Sequence, residues 1–275
     1  MSRFLGIARE RAFSPGRVAD DCLILEAVAA ELAARGHAVA VQSAEDSLVA
    51  PSRATTVFTM SQGERALGRL GEWETGGILV VNSVAAILGC HRHRLLARLR
   101  RAGLATPEAV EVPAGGDGDQ DTWPDWLARD GGWLKRGDVH ATEPDDVVPV
   151  GNAAAAAAAA ARLRSRGIER IVLQRHVAGA VTKFYAVADR LVAWYPSSDA
   201  MEPLGRDGAD GLQALAAGAA RALGLEVHGG DVVTDRDGRL QLIDLNDWPS
   251  FARCRAAAAR AIASRLETLA EQNDR

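Results

Sequence analysis

The chain has 275 residues, 48% of them hydrophobic and 25% charged, which is ordinary for a globular protein and enough to bury a sizeable core. A formal net charge of -4 removes any general attraction to nucleic acid or to an anionic membrane surface and leaves small-molecule chemistry as the expected class. Cys22, Cys90 and Cys254 stand far apart without CxxC spacing, so neither a disulfide framework nor a thiolate metal cage is expected.

The opening MSRFLGIARERAF has no apolar core of a leader peptide, and no run approaches the ~18 apolar residues needed to span a bilayer, so a cytoplasmic protein is expected. FLGIA (4–8) reads as a strand. After the loop RERAFSPGR, DDCLILEAVAAELAARG carries apolar residues at helical spacing up to a glycine stop. HAVAVQ, TTVFTM and GILVVN supply three more strands, and their alternation with helices predicts a parallel sheet over about 1–85. Ligands of such sheets bind at the carboxyl ends of the strands, which puts Arg9, Ser14, Arg17 and the Ser61, Gln62, Gly63 loop near a substrate. Ordinary solvated loop residues would look the same.

From Val84 the pattern predicts one helix through HRHRLLARLRRAG, then a lobe boundary and a new strand at EV. PAGGDGDQD (113–121) alternates Asp like a calcium loop but lacks the glycine and glutamate expected at the sixth and twelfth positions, and is read as a surface loop. GNAAAAAAAAARLRSRG predicts a packing helix, with its basic residues at the C-terminal end where the dipole favours them. IVLQRHV, VTKFYAVAD and RLVAWY are strands, the second apolar on both faces. LQALAAGAARALG is a helix, EVHGGDVVTDRDGRLQLIDLND a hairpin, and an alanine-rich helix from Ala252 closes the chain.

Polar groups concentrate where LQLIDLNDWPSF (240–251) should be apolar. With the hairpin taken as symmetric about its Asp- and Gly-rich turn, Asp231 opposes Leu242 and Asp244 is its diagonal neighbour, with Asn246 on the same face and Asp247 on the other. Two carboxylates in a partly buried place require positive charge, and oxygen donors alone suit Mg2+ with phosphate oxygens rather than zinc. Helix capping or pairing of Asp244 and Asp247 with Arg253 and Arg255 would explain the same residues. Only two lysines interrupt an arginine-rich chain: Lys135 in GGWLKRGDVHAT, where a strand runs into a glycine-containing turn, and Lys183 in VTKFYAV. Either can serve phosphate oxygens as a point charge, and a surface lysine is the plain alternative.

Taken in order, WLKRGDVHA, LQRHVAGAVTKFYAV, HGGDVVTD and LQLIDLNDWPSF resemble the ATP-grasp superfamily, including its RimK-like and glutathione-synthetase-like ligases and its inositol-polyphosphate-kinase-like branch. The resemblance implies an N-terminal α/β parallel-sheet domain (1–85) before a two-lobed α+β ATP-grasp region (86–275), with a small lobe at about 104–177 and a C-terminal lobe at about 178–275. It implies ATP and Mg2+: Lys135 on the α- and β-phosphates, Gln174, Arg175, His176 and Val177 at the adenine, Lys183 as a further nucleotide contact, and Asp231, Asp244 and Asn246 on the metal. The phosphate loop is short, so closure over the γ-phosphate falls to Arg136, His140 or Thr142, and HRHR offers Arg94 or His93 where relatives have a nucleotide-contacting lysine. Arg253, with Arg9 or Arg17, would clamp an anionic substrate.

The expected reaction is ATP-dependent ligation of a carboxylate to an amine on a small molecule or peptide through an acyl-phosphate. A kinase acting on a hydroxyl and a non-catalytic nucleotide binder remain as alternatives. No nucleic-acid or membrane partner is expected, and homodimerisation stays open.

Overall fold

The computed structural model describes residues 1–113, 123–198 and 204–273. Most of the stretch read as a surface loop (113–121) lies outside the described residues.

In the N-terminal part, β1 (Arg3–Ala8), α1 (Val18–Ala34), β2 (Ala38–Ser43), β3 (Thr55–Thr59), α2 (Glu64–Thr75) and β4 (Val80–Val81) follow one another. The four strands form a parallel sheet in the order β2-β1-β3-β4. The apolar runs of β1, β3 and β4 are buried because helices cover both faces, as parallel strands joined by helical crossovers require, whereas the edge strand β2 is largely exposed. Helix α1 lays Ile24, Leu25, Val28 and Leu32 on one side at helical spacing, and α2 covers the other with Leu67, Leu70 and Trp73.

The single helix predicted from Val84 is two: α3 (Val84–Gly89) and α4 (Arg92–Arg101). His91 between them is extended, with φ -59° and ψ 127°, which interrupts the helical hydrogen-bond ladder and re-aims the second helix. Apolar periodicity carries no record of such a break, because Leu88, Leu95, Leu96 and Leu99 keep helical spacing across it.

Next come β5 (Ala109–Glu111), α5 (Trp126–Asp130), β6 (Gly132–Arg136), β7 (Val147–Val150), α6 (Ala153–Ser165) and β8 (Ile171–Arg175), whose strands make an antiparallel sheet in the order β5-β8-β6-β7. Asn152 caps α6 by accepting from the Ala155 amide, and the alanine run packs Ala156, Ala159, Ala160 and Leu163 on this sheet. The short helix α5 and strand β7 are not apparent in the pattern. Strand β7 holds Pro149, which an edge position tolerates.

The last sheet is antiparallel, in the order β10-β9-β11-β12, from β9 (Gly179–Val187), β10 (Arg190–Pro196), β11 (Val227–Asp235) and β12 (Leu240–Asp247). Its two apolar faces have separate covers. Phe184 and Ala186 pack with α7 (Arg206–Leu223), whereas Tyr185 and Val187 join a core built from α1 and α8 (Arg255–Asn273). That second core contains Phe4 and Phe58 of the first sheet as well as Trp248, Phe251 and Ile262, so the two ends of the chain are packed as one body. No helix among the described residues is long and apolar enough to cross a membrane.

Asn82, fully buried after β4, ties this junction by backbone hydrogen bonds. Its Nδ2 donates to the Val227 carbonyl at 2.7 Å and its Oδ1 accepts from the Glu226 and Val227 amides. Asn82→Ala would strand all three groups away from water and is expected to cost about 4 kcal/mol, read as a shifted urea midpoint. A change under about 1 kcal/mol would show that the junction does not depend on this side chain.

His228, fully buried on β11, is held neutral by burial, with its pKa lowered to about 4, while its Nε2 meets the Ala188 carbonyl at 3.0 Å. The unfolded histidine binds its proton near pH 6.5, so this stabilisation is complete above that pH and is lost as pH falls toward 4. At pH 5 the loss is on the order of 2 kcal/mol relative to pH 7.5, and His228→Gln should remove that increment from the pH dependence of denaturation. An identical pH profile for the variant would contradict the assignment.

Candidate functional site

Strand β11 lies between β9 and β12, and its Asp231 is opposite Lys183 on one side and Asp244 on the other. Tyr195 of β10 is in turn opposite Lys183, so Tyr195, Lys183, Asp231 and Asp244 form one row across the sheet. The symmetric hairpin register expected from the sequence, Asp231 against Leu242, does not occur. Strand β12 carries one extra residue, Ile243, between the partners of Val232 and Asp231. A bulge of this kind shifts which side chains share a face. Leu242 and Leu245 therefore join Val232 in the core under α7, leaving Asp244 and Asn246 on the open side with Asp231.

Like charges directly opposite on adjacent strands repel, and burial adds to the cost. Three cations from different elements offset it. Arg92, the first residue of α4, holds Asp244 with a two-point contact, Nη2 to Oδ2 at 2.6 Å and Nε to Oδ1 at 3.2 Å. Lys183 contacts both oxygens of Asp231, at 2.8 and 3.1 Å. Lys135, buried at the end of β6, donates to the carbonyl of the bulged residue Ile243 at 3.0 Å. Gly229 and Gly230 let the strands approach here: a Cβ on Gly229 would lie 2.7 Å from the Phe184 carbonyl oxygen and 2.9 Å from Pro249.

The charge states follow from this packing. Burial would raise the Asp244 carboxyl, but Arg92 and then Lys135 outweigh it and hold it below the usual range. Burial pushes the Asp231 carboxyl up against the pull of Lys183. Lys135 is lowered to about 8, chiefly by burial, with Asp244 opposing the shift. Burial also disfavours the charge on Lys183, yet Asp231 prevails and its pKa is raised.

A cavity of about 530 Å³ opens beside the row. Asp231, Asp244, Asn246 and Asp247 line its inner part with Arg92 and Lys183, and Arg9, Ser14, Arg17 and His140 line it from the N-terminal and small-lobe sides. Asp247, expected on the opposite face from Asp244, lines this same cavity, because the chain leaves β12 through Trp248 in a left-handed conformation with φ +37°. Gln62 donates to both of its oxygens, at 3.1 and 2.9 Å, and burial raises its pKa to about 6. Arg9 fixes the turn by donating to the Trp248 carbonyl at 2.8 Å, to Met60 and to Asp21. His140 meets the Phe13 carbonyl at 2.7 Å, which docks the turn after Lys135 on the first loop of the chain.

The expected residues fall into two groups. Lys183, His140, Asp231, Asp244, Asn246 and Arg253 all line the cavity, and Lys135, outside the lining, reaches the Ile243 carbonyl next to Asp244. Arg94 does not: it is exposed and contacts His93, while Arg92 takes the buried place. The reason is helical phase, since Arg92 shares a face with Leu95, Leu96 and Leu99. That spacing in HRHRLLARL was the available signal. Gln174, Arg175, His176 and Val177 are not in the cavity lining. Gln174 pairs with Ala109 and Trp133, Arg175 is held by Glu108 and Asp130, and His176 accepts from the Trp133 indole. The buried Nε2 of Gln174 has no hydrogen-bond partner among the described residues. Arg136 is occupied by Asp138 and Thr142.

No protein-family model matches the chain, and no curated protein sequence is similar to it. Solved structures do share its fold. A RimK domain ATP-grasp protein from Sphaerobacter thermophilus DSM 20745 is 23% identical over 97% of this chain and 100% of its own, with a TM-score of 0.67. D-cycloserine synthetase DcsG is 21% identical over 96% and 99%, with a TM-score of 0.70. D-alanine–D-alanine ligase from Bacillus anthracis is 11% identical over 99% of each chain, with a TM-score of 0.71.

Arg92→Met removes the two-point partner of a buried carboxylate and is expected to cost about 3 kcal/mol of stability. Combined with Asp244→Leu, most of that loss should be recovered. Strictly additive losses in urea denaturation would show that the two side chains do not act as a pair.

Proposed function

We propose that this chain, which has the ATP-grasp fold, joins a carboxylate to an amine at the expense of ATP, acting on a small molecule or peptide through an acyl-phosphate. The observation that carries this reading is the charged row itself: Asp244 paired with Arg92 and Asp231 with Lys183, with Lys135 on the adjoining Ile243 carbonyl and Asn246 beside them, along a cavity with room for an acceptor. The ligase and synthetase among the structural neighbours support it over the kinase alternative.

The donor set fits Mg2+. Asp231, Asp244 and Asn246 line the cavity together and offer oxygen donors, which suit a hard cation. Magnesium, when bound there, would supply charge neutralisation on the transferred phosphate. Lys135 and Lys183 would orient the phosphate oxygens, each as a point charge, and Arg92 would keep Asp244 ionised and in place. Gln174, Arg175, His176 and Val177, at the end of the small-lobe strand, would provide the edge for the adenine.

One carboxylate oxygen of the acceptor forms a bond to the γ-phosphorus while the bond to the bridging oxygen breaks and ADP leaves. The amine then attacks the acyl carbon, phosphate departs, and the amine gives up a proton. The chain need supply only position and electrostatics for both steps.

Incubation with Mg-ATP, a panel of acids and hydroxylamine should trap the acyl-phosphate as a hydroxamate together with ADP. Asp244→Asn, folded as judged by circular dichroism, should lower this turnover by about 100-fold or more. A phosphorylated alcohol without hydroxamate would assign a kinase instead. Nucleotide binding with no ADP from any acid, amine or polyol would assign a non-catalytic binder.

A further inference from the structure

The charges along the cavity wall are not evenly matched. Asp21 is paired with Arg9, Asp231 with Lys183 and Asp244 with Arg92. Two cations remain. Arg253 is exposed and lines the cavity, and no carboxylate among the described residues pairs with it. Arg17, on the first loop of the chain, also lines the cavity, and its one acidic neighbour, Asp20, is 4.0 Å away with the arginine side chain 66% exposed.

Arg253 is not a loosely hanging side chain. Its guanidinium carbon sits 4.4 Å from the centre of the Tyr195 ring, and the Tyr195 hydroxyl meets the Arg253 backbone carbonyl at 3.4 Å. A guanidinium laid on a ring keeps its donor edge free and loses little further freedom when it binds a planar anion. The platform is fixed in turn, because Tyr195 is the next member of the row that holds Lys183 and Asp231. Two strand spacings, roughly 10 Å, separate the Tyr195 and Asp231 backbones across the sheet.

We infer that the cavity binds a substrate carrying a second carboxylate that does not react, held by Arg253 on its Tyr195 platform with Arg17 contributing from the N-terminal loop. The reacting end lies at the Asp231 and Asp244 end of the cavity, and the bound carboxylate sets both specificity and reach. This rests on the proposed ligation for the identity of the reacting end, but not for the binding itself. The carboxylate belongs either to the acid that is activated or to the amine that captures it.

Calorimetric titration of the whole protein, with Mg2+ and a non-hydrolysable ATP analogue, separates these cases. The probes are α,ω-dicarboxylates from succinate to suberate, each against its monoamide, and ω-amino acids of matching length, each against its amide. At least one carboxylate probe should bind about tenfold more tightly than its amide, as expected for a charge-assisted contact. Arg253→Ala should erase that preference, and so should Tyr195→Leu, which keeps the arginine but removes its platform. A preference within the diacids places the group on the acid, and one within the amino acids places it on the amine partner.

The inference is overturned if no probe is preferred over its amide at any length, or if the preference survives in both variants. Failure of the ligation reading looks different: it would show as absent hydroxamate and ADP while the Arg253-dependent preference persists.

Discussion

Two carboxylates placed side by side on antiparallel strands cannot stay buried and ionised without positive charge close by. In this protein that constraint, at Asp231 and Asp244, reaches into every part of the fold. Arg92 has to come from a helix that starts after a break, Lys135 from the sheet of the small lobe, and Lys183 from the neighbouring strand. Each cation belongs to a different element, so the acidic pair also fixes how those elements meet. With three cations around two carboxylates, the row remains attractive to further anions such as phosphate oxygens.

The N-terminal segment is coupled to the same point. Arg9 reaches from the end of β1 to the carbonyl of Trp248, whose left-handed backbone turns the chain out of β12. Trp248 stacks on Phe58 of the first sheet with ring centres 6.0 Å apart. Strain of this kind persists only where the surroundings over-determine it, and here the arginine, the stacked ring and the shared core do so together. The result is that Asp247 turns toward the cavity and meets Gln62. The cavity-lining Asp247 is thus held by a residue 185 positions away in the chain.

Much of this was legible in LQLIDLNDWPSF and GGWLKRGDVHAT. Asp231, Asp244 and Asn246 stand out because acids and amides interrupt apolar strands, and Lys135 and Lys183 because they are the two lysines of an arginine-rich chain. From HRHR the sequence offered Arg94 or His93, whereas it is Arg92 that the fold places against Asp244, a choice that helical phase decides. The register of β11 against β12 was lost because a single extra residue, Ile243, changes which side chains share a face, and the place of Asp247 because the left-handed backbone at Trp248 turns the chain out of the strand. Short elements such as α5 and β7 are too brief for periodicity to declare.

The sequence by itself determined the alternation of strands and helices in the first sheet, the presence of a hairpin bearing acids, and the residue types able to serve phosphate and a hard cation. Those are local properties, set by side-chain period and by the chemistry of individual residues. Only the tertiary structure decided that Asp231 faces Asp244 directly, that Arg92 holds Asp244, and that Arg253 lies on Tyr195 beside an open cavity. Each of these depends on strand register, a helix break or a left-handed turn. Such features move side chains by one residue or one face, and their energies are settled by packing partners far away in the chain.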